Sequence, residues 1–297
     1  MASNYYEWRY GGIHYRRSGM GDPLVLVHDL YGGASSEEFD RNIRSLSRDH
    51  RVYAIDLLGF GESDAPRMRY RAALYPLLLK DFIEDVIHAP AHAVATGASG
   101  AYVATVAAER PDLLRKLVFI SPYDWARQDT GHAWPSKILW EVFRLLLISF
   151  PFQFVFQDVM AGEWELDEML RRAFHDKKQI DPAMVDRLSE LARKPGVLRA
   201  YASLEAGLLF KPFKGALTRL TNPTLFICGR EVKSDFAKGL EQLAQLARGS
   251  RLEWVNGAGT WVHHEKAFKT NRLMENFFEE IEIGDNSDAL HQELTHA

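Results

Sequence analysis

The residues with the clearest capacity for chemistry surround Ser99. It sits in Gly97-Ala98-Ser99-Gly100-Ala101, between an apolar run and a small-residue helical pattern. Tiny neighbours permit a sharp strand-to-helix turn, which would present the serine oxygen near the positive end of a helix. The same small residues would also let the helix pack closely on the strand. A serine hydroxyl becomes a useful nucleophile when an imidazole takes its proton and a carboxylate orients that imidazole. The chain holds eleven histidines and forty carboxylates from which such partners could come. Metal chemistry finds little support: Cys228 is the single cysteine, and the adjacent His263 and His264 would face different directions on a helix. Gly32-Gly33 and Gly59-Phe60-Gly61 lack the context of phosphate-binding loops. No metal site and no cofactor are expected.

Apolar runs bounded by turn residues alternate with helical patterns, which predicts βαβ units and a mostly parallel twisted sheet with helices on both faces. Strands are expected at residues 24–27, 51–55, 93–96, 116–120, 224–228 and 251–255, after an N-terminal hairpin around Gly11-Gly12. Helices fit residues 38–48, 74–87, 100–110, 238–247 and 266–281. Between Pro122 and about Leu217 the alternation gives way to helical spacing. That predicts a core of residues 1–122 and 218–282, a helical lid at 123–217, and a polar tail at 283–297.

Composition narrows the setting. The 297 residues are 46% hydrophobic and carry a net charge of −4, so no whole-protein field draws in nucleic acid. One cysteine excludes an internal disulfide and suits a reducing, cytoplasmic compartment. The first twenty residues lack the apolar stretch of a signal peptide.

Several segments in order and spacing, LVLVHDLYGGASS, RVYAIDLLGFGESD, the Ser99 turn, ERPDLLRKLVFISP, NPTLFICGRE and VNGAGTWVHHEKAF, resemble the α/β-hydrolase superfamily. The likeness covers about residues 8–282 and is greatest to its lid-bearing esterase, haloalkane dehalogenase and epoxide hydrolase branch. It implies the α/β-hydrolase fold, Ser99 at the nucleophile position, and oxyanion-hole backbone donors at Leu30 and Gly100. Three positions depart from the family pattern. Val232 stands where the acid is expected, Thr260 where the catalytic histidine is expected, and Asp29 where the family has glycine after His28. His263 and His264 follow three and four residues later, about one helical turn, roughly 5 Å, past the expected base. A threonine hydroxyl cannot act as a general base near neutral pH, and a carboxylate beside an oxyanion hole opposes the charge that develops there.

Two readings follow. In the favoured one, the chain keeps the hydrolase scaffold without triad hydrolysis, and serves as an apolar-ligand binder, an accessory subunit or a site of non-hydrolytic chemistry. In the other, Ser99 works as an ester hydrolase nucleophile with a relocated acid (Glu231 or Asp124) and base (His263 or His264). The haloalkane dehalogenase reading is weaker, because that chemistry needs a carboxylate nucleophile where Ser99 stands. The start of the lid, with Trp125, Trp140 and the aromatic stretch 138–156, reads as a pocket roof or as a face for a protein partner or a membrane surface.

Overall fold

Strands formed by short β-branched and apolar runs build the centre of the molecule, because residues covered on both faces need no polar alternation. The computed structural model describes residues 2–124 and 162–280, with residues 142, 145, 146, 148 and 149 between them. Eight strands, β1 (Ala2–Trp8), β2 (Gly11–Ser18), β3 (Asp22–Val27), β4 (His50–Ile55), β5 (Ala91–Thr96), β6 (Leu114–Ile120), β7 (Thr224–Gly229) and β8 (Arg251–Val255), form one sheet in the order β1-β2-β4-β3-β5-β6-β7-β8. The β1–β2 and β2–β4 pairs are antiparallel and every other pair is parallel. Every expected strand forms, and β1 and β2 run further along the chain than the short hairpin read from the sequence.

Helices flank the sheet. A 3-10 turn and α1 (Asp40–Leu46) follow β3, α2 (Leu74–Phe82) follows β4, and α3 (Gly100–Glu109) follows β5. The π-helical turn Ile83–Ile87 continues α2 to the end that the sequence pattern gave. Between β6 and β7 come α4 (Glu163–Ala173), α5 (Pro182–Ala192), α6 (Val197–Glu205) and α7 (Lys214–Leu217). After β7 and β8 come α8 (Ser234–Leu246), α9 (Val262–Glu265) and α10 (Ala267–Glu279). Trp125, Trp140, most of the stretch 138–156 and the tail 283–297 lie outside the described residues.

The helices inserted between β6 and β7 are fastened to the core by buried polar contacts. One Glu265 oxygen accepts the backbone N–H groups of His175 (2.9 Å) and Asp176 (2.8 Å), just past the end of α4. Its other oxygen accepts the N–H of Gly259 at 2.7 Å. Gly259 is pressed so closely to α4 that a Cβ there would lie 2.2 Å from the Ala173 carbonyl oxygen. On a second side, Arg187 of α5 binds Glu37 with two nitrogens (3.0 and 2.8 Å) and Glu62 at 2.9 Å. Replacing Glu265 by alanine takes the acceptor from three N–H groups, of which that of Gly259 is buried. Glu265→Ala is expected to lower stability by roughly 2–4 kcal/mol, read as a lower urea midpoint with an unchanged slope.

Candidate active site

The parallel pairing of β3 and β5 sets Val27 beside Ala95, so the segments after both strands emerge side by side at the carboxyl end of the sheet. Ligand sites of open α/β sheets form at such ends. The loop after β3 is braced by His28. Its Nε2 accepts the Leu57 N–H at 3.0 Å, so Nδ1 carries the hydrogen that contacts the Asp29 carbonyl oxygen at 2.6 Å.

Ser99 does not occupy the apex of the turn after β5. The apex is Gly97, with φ of +51°, a conformation that glycine adopts without strain. Ser99 lies two residues later in ordinary helical geometry (φ −67°, ψ −16°), at the start of α3. It is fully buried, and its hydroxyl faces the carbonyl oxygens of Thr96 at 2.8 Å and Val27 at 3.1 Å. No described imidazole hydrogen-bonds to it. The difference from the sequence pattern has a physical reason: two glycines bracket the segment, and only the first has positive φ, while Gly100 is helical and spends its N–H inside the turn on Gly97 and Ala98. The N–H that converges with that of Leu30 is therefore the one of Ala98, not of Gly100 as expected.

Those two N–H groups converge on a side chain of the protein itself. Asp29 Oδ1 accepts from Leu30 N at 2.8 Å and from Ala98 N at 2.7 Å, with the Tyr123 hydroxyl at 3.4 Å. A Cβ built on Gly97 would fall 1.9 Å from Asp29 Oδ2 and 2.0 Å from its Cγ. The Asp29 carboxylate thus fills the space that a side chain at the apex would take. Oδ2 receives no hydrogen bond from any described residue, and Asp29 keeps some accessible surface despite its depth.

Burial and the neighbouring Glu38 push the Asp29 carboxyl up to about 7, against the pull of its two backbone donors and Tyr123. Glu38 goes the other way. Burial alone would raise it, but His263 and His28 hold it below the usual glutamate range. One Glu38 oxygen takes the Asp29 N–H and the Tyr31 hydroxyl, both at 3.1 Å. The other lies 3.3 Å from His263 Nε2, an ion-pair distance without hydrogen-bond alignment. Of these two adjacent carboxyls, Asp29 is the one that takes a proton first.

The remaining candidates are dispersed. Thr260 donates its N–H to the Ala173 carbonyl at 2.9 Å, and its hydroxyl contacts the same oxygen at 3.3 Å. His264 packs against Phe174 and Trp261, and burial, with Arg41 and His263 nearby, drives its imidazole down to about 3. Glu231 is exposed and accepts the Ala258 N–H at 2.9 Å, with the backbone N–H groups of Gly257 and Ala258 holding it below the usual range. Val232 packs against the core and Asp124 is buried beyond β6. Neither Glu231 nor Asp124 is brought into hydrogen-bonding contact with His263, His264 or Ser99. Among the described residues no group of His, Cys, Asp and Glu is placed to hold a metal ion. Reading residues singly misses Gly97 and Glu38. The available signal was a paired exchange, a carboxylate where the family has glycine at 29 and a glycine just after β5 at 97.

Residues 24–272 match the profile described as "Alpha/beta hydrolase family". The chain belongs to this family. Among curated relatives, the 2-hydroxy-6-oxo-6-(2'-aminophenyl)hexa-2,4-dienoic acid hydrolase of Metapseudomonas resinovorans is 24% identical over 75% of this chain and 73% of its own length. Epoxide hydrolase 3 of Xenopus tropicalis is 25% identical over 93% of this chain and 77% of its own. A crystal structure of CarC, a serine hydrolase involved in carbazole degradation, superimposes with a TM-score of 0.76 at 20% identity, over 93% of this chain and 98% of that one. At that identity the likeness establishes the shared fold.

Within the alpha/beta hydrolase frame, the Asp29–Gly97 fit is open to direct test. Gly97→Ala is expected to destabilise by about 2–4 kcal/mol, through positive φ and the clash with Asp29. Adding Asp29→Gly should recover about 1 kcal/mol or more by a double-mutant cycle in urea. The raised Asp29 carboxyl also fixes a sign. The folded state holds its proton more tightly than the unfolded chain, so this contribution is full at low pH and is lost as pH rises towards about 7. Asp29→Asn should flatten the decline in stability between about pH 4 and pH 7 in urea titrations.

Proposed function

We propose that this chain uses the hydrolase scaffold without Ser–His–acid hydrolysis, binding an apolar small molecule under the inserted helices, with proton transfer by Asp29 as the chemistry at hand. The observation that carries this reading is the Asp29 carboxylate. One oxygen sits between the Leu30 and Ala98 N–H groups, and the other stands in the space of an apex side chain. An ester carbonyl needs both places free: a nucleophile beside it, and two donors for the oxygen that becomes negative. A resident carboxylate occupies the donors and repels the developing charge. Thr260 at the base position removes proton acceptance as well.

Proton transfer does not need what is missing. It requires neither a covalent intermediate nor an imidazole to release one, and a carboxyl titrating near 7 suits the role. Burial and Glu38 together keep Asp29 protonated below about pH 7, and Oδ2, which receives no hydrogen bond from a described residue, is the oxygen that would meet a ligand. An accessory role is compatible with the same loss of hydrolysis. A protein partner or a membrane surface would meet the chain at 138–156, where Val142, Leu145 and Leu146 are exposed. No described helix is long and apolar enough to cross a membrane. A cytoplasmic location is part of the same proposal and rests on the single cysteine.

The competing reading, hydrolysis by Ser99, requires an imidazole at a hydroxyl that instead faces two carbonyl oxygens. A fluorophosphonate probe and a panel of p-nitrophenyl esters separate the two. Peptide mapping should find Ser99 unmodified, and Ser99→Ala should leave any residual ester turnover within about twofold. Probe label on Ser99, or turnover that disappears in Ser99→Ala, defeats the proposal.

A further inference from the structure

A second arrangement with nucleophilic geometry lies at the opposite edge of the sheet from β8. In the β1–β2 ladder Tyr5 stands across from His14, and Ser3 sits two residues away on the same face. Ser3 Oγ lies 2.8 Å from His14 Nε2, and His14 Nδ1 lies 2.7 Å from Asp56 Oδ2. Ser3 is exposed, whereas His14 and Asp56 are 5% and 1% exposed. A reachable hydroxyl is therefore backed by an enclosed imidazole and carboxylate.

The proton inventory fixes the direction of the chain. Asp56 is enclosed, which alone would raise its carboxyl, but His14, the nearby His28 and the Glu62 N–H hold it low. Its two oxygens accept the N–H groups of Ser36 at 2.6 Å and Glu62 at 2.8 Å, so the carboxylate cannot turn away. An ionised carboxylate accepts, so Nδ1 carries the ring hydrogen and Nε2 presents its lone pair. The Ser3 hydroxyl then donates to Nε2. His14 is held from behind by its own N–H to the Ser63 oxygen at 2.9 Å, and the Tyr5 ring lies over it at 5.3 Å between centroids. Arg16, opposite Ser3 in the ladder, is engaged with Ser36 and Asp40 and does not compete for this imidazole.

A brace between β2 and the turn after β4 explains the His14–Asp56 pair, but it does not need an exposed serine at the far nitrogen. We propose that Ser3 is a base-activated nucleophile, and that Ser3, His14 and Asp56 form a self-acylation and phosphonylation site for small activated esters. In the acyl step the Ser3 oxygen bonds to the carbonyl carbon and its proton passes to His14 Nε2. The ester bond breaks, and the leaving group departs with the bonding pair, an alcohol or phenol that takes up the proton from His14 or from water. In the phosphonyl step the Ser3 oxygen bonds to phosphorus, its proton passes to His14 Nε2 and on to water, and fluoride leaves with the P–F pair. β1 is an edge strand, so its outward N–H groups are available as donors for the transient negative oxygen. Ser3 is exposed, so the reactivity of the acyl or phosphonyl group, more than a fitted pocket, selects what is attacked.

The full chain, treated with an excess of an ethyl fluorophosphonate and separately with p-nitrophenyl acetate, is mapped by peptide mass spectrometry. One adduct is expected at Ser3, absent in Ser3→Ala and formed at least about tenfold more slowly in His14→Gln. Should His14→Gln fail to fold, the Ser3→Cys variant decides. Its thiol should react with iodoacetamide at least about tenfold faster than the same substitution in a peptide of residues 1–10. Cys228 is buried and gives the background. No adduct at Ser3, an undiminished rate in folded His14→Gln, or a thiol no faster than the peptide overturns the proposal.

Discussion

The architecture of the site rests on one contact, the Asp29 carboxylate held between the backbone N–H groups of Leu30 and Ala98. It ties the loop after β3 to the turn after β5 at the point where the two strands run side by side. It also dictates residue choice on both sides. A carboxylate in that position leaves no room for any Cβ at the apex, so Gly97 is required, and Gly97 in turn supplies the positive φ that brings the Ala98 N–H into line. Ser99, relieved of the apex, ties the turn down through the carbonyl oxygens of Thr96 and Val27.

Electrostatics extends that contact outward. Asp29 and Glu38 share one enclosed region, where two like charges raise each other's cost, and their surroundings divide them. Glu38 has His263 and His28 near it and stays ionised. Asp29 has two backbone dipoles, a more distant tyrosine and a negative neighbour, and its carboxyl rises to about 7. His263 thereby acts on Glu38 and not on a serine. The imidazole, carried by α9, faces the carboxylate behind Asp29.

The inserted helices are set by the same economy of backbone groups. Glu265 gathers three N–H groups from α4's end and from the loop that carries Thr260. The Thr260 N–H then reaches the last carbonyl of α4. In this arrangement residue 260 is part of the seam between core and insertion. Its hydroxyl turns to the same Ala173 oxygen.

How much of this the chain revealed varies residue by residue. Strands such as Leu24–Val27 and Thr224–Cys228 were legible because short apolar runs between turn residues are local signals, and the order of motifs made the family legible. The exposed Glu231, the helical phase of α4 and α5, and the absence of histidine at 260 could also be read directly. Which residue forms the apex could not be read, because Gly97 and Ser99 both satisfy a small-residue turn and only the backbone conformation distinguishes them. Nor could the Asp29–Gly97 fit, the Glu38–His263 contact or the Ser3–His14–Asp56 array, whose members are 68, 225 and up to 53 residues apart. The sequence determined the scaffold and the threonine at 260, since residue identity and local periodicity suffice for both. Tertiary structure alone decided what stands at the apex of the turn after β5, because that depends on two loops meeting across adjacent strands.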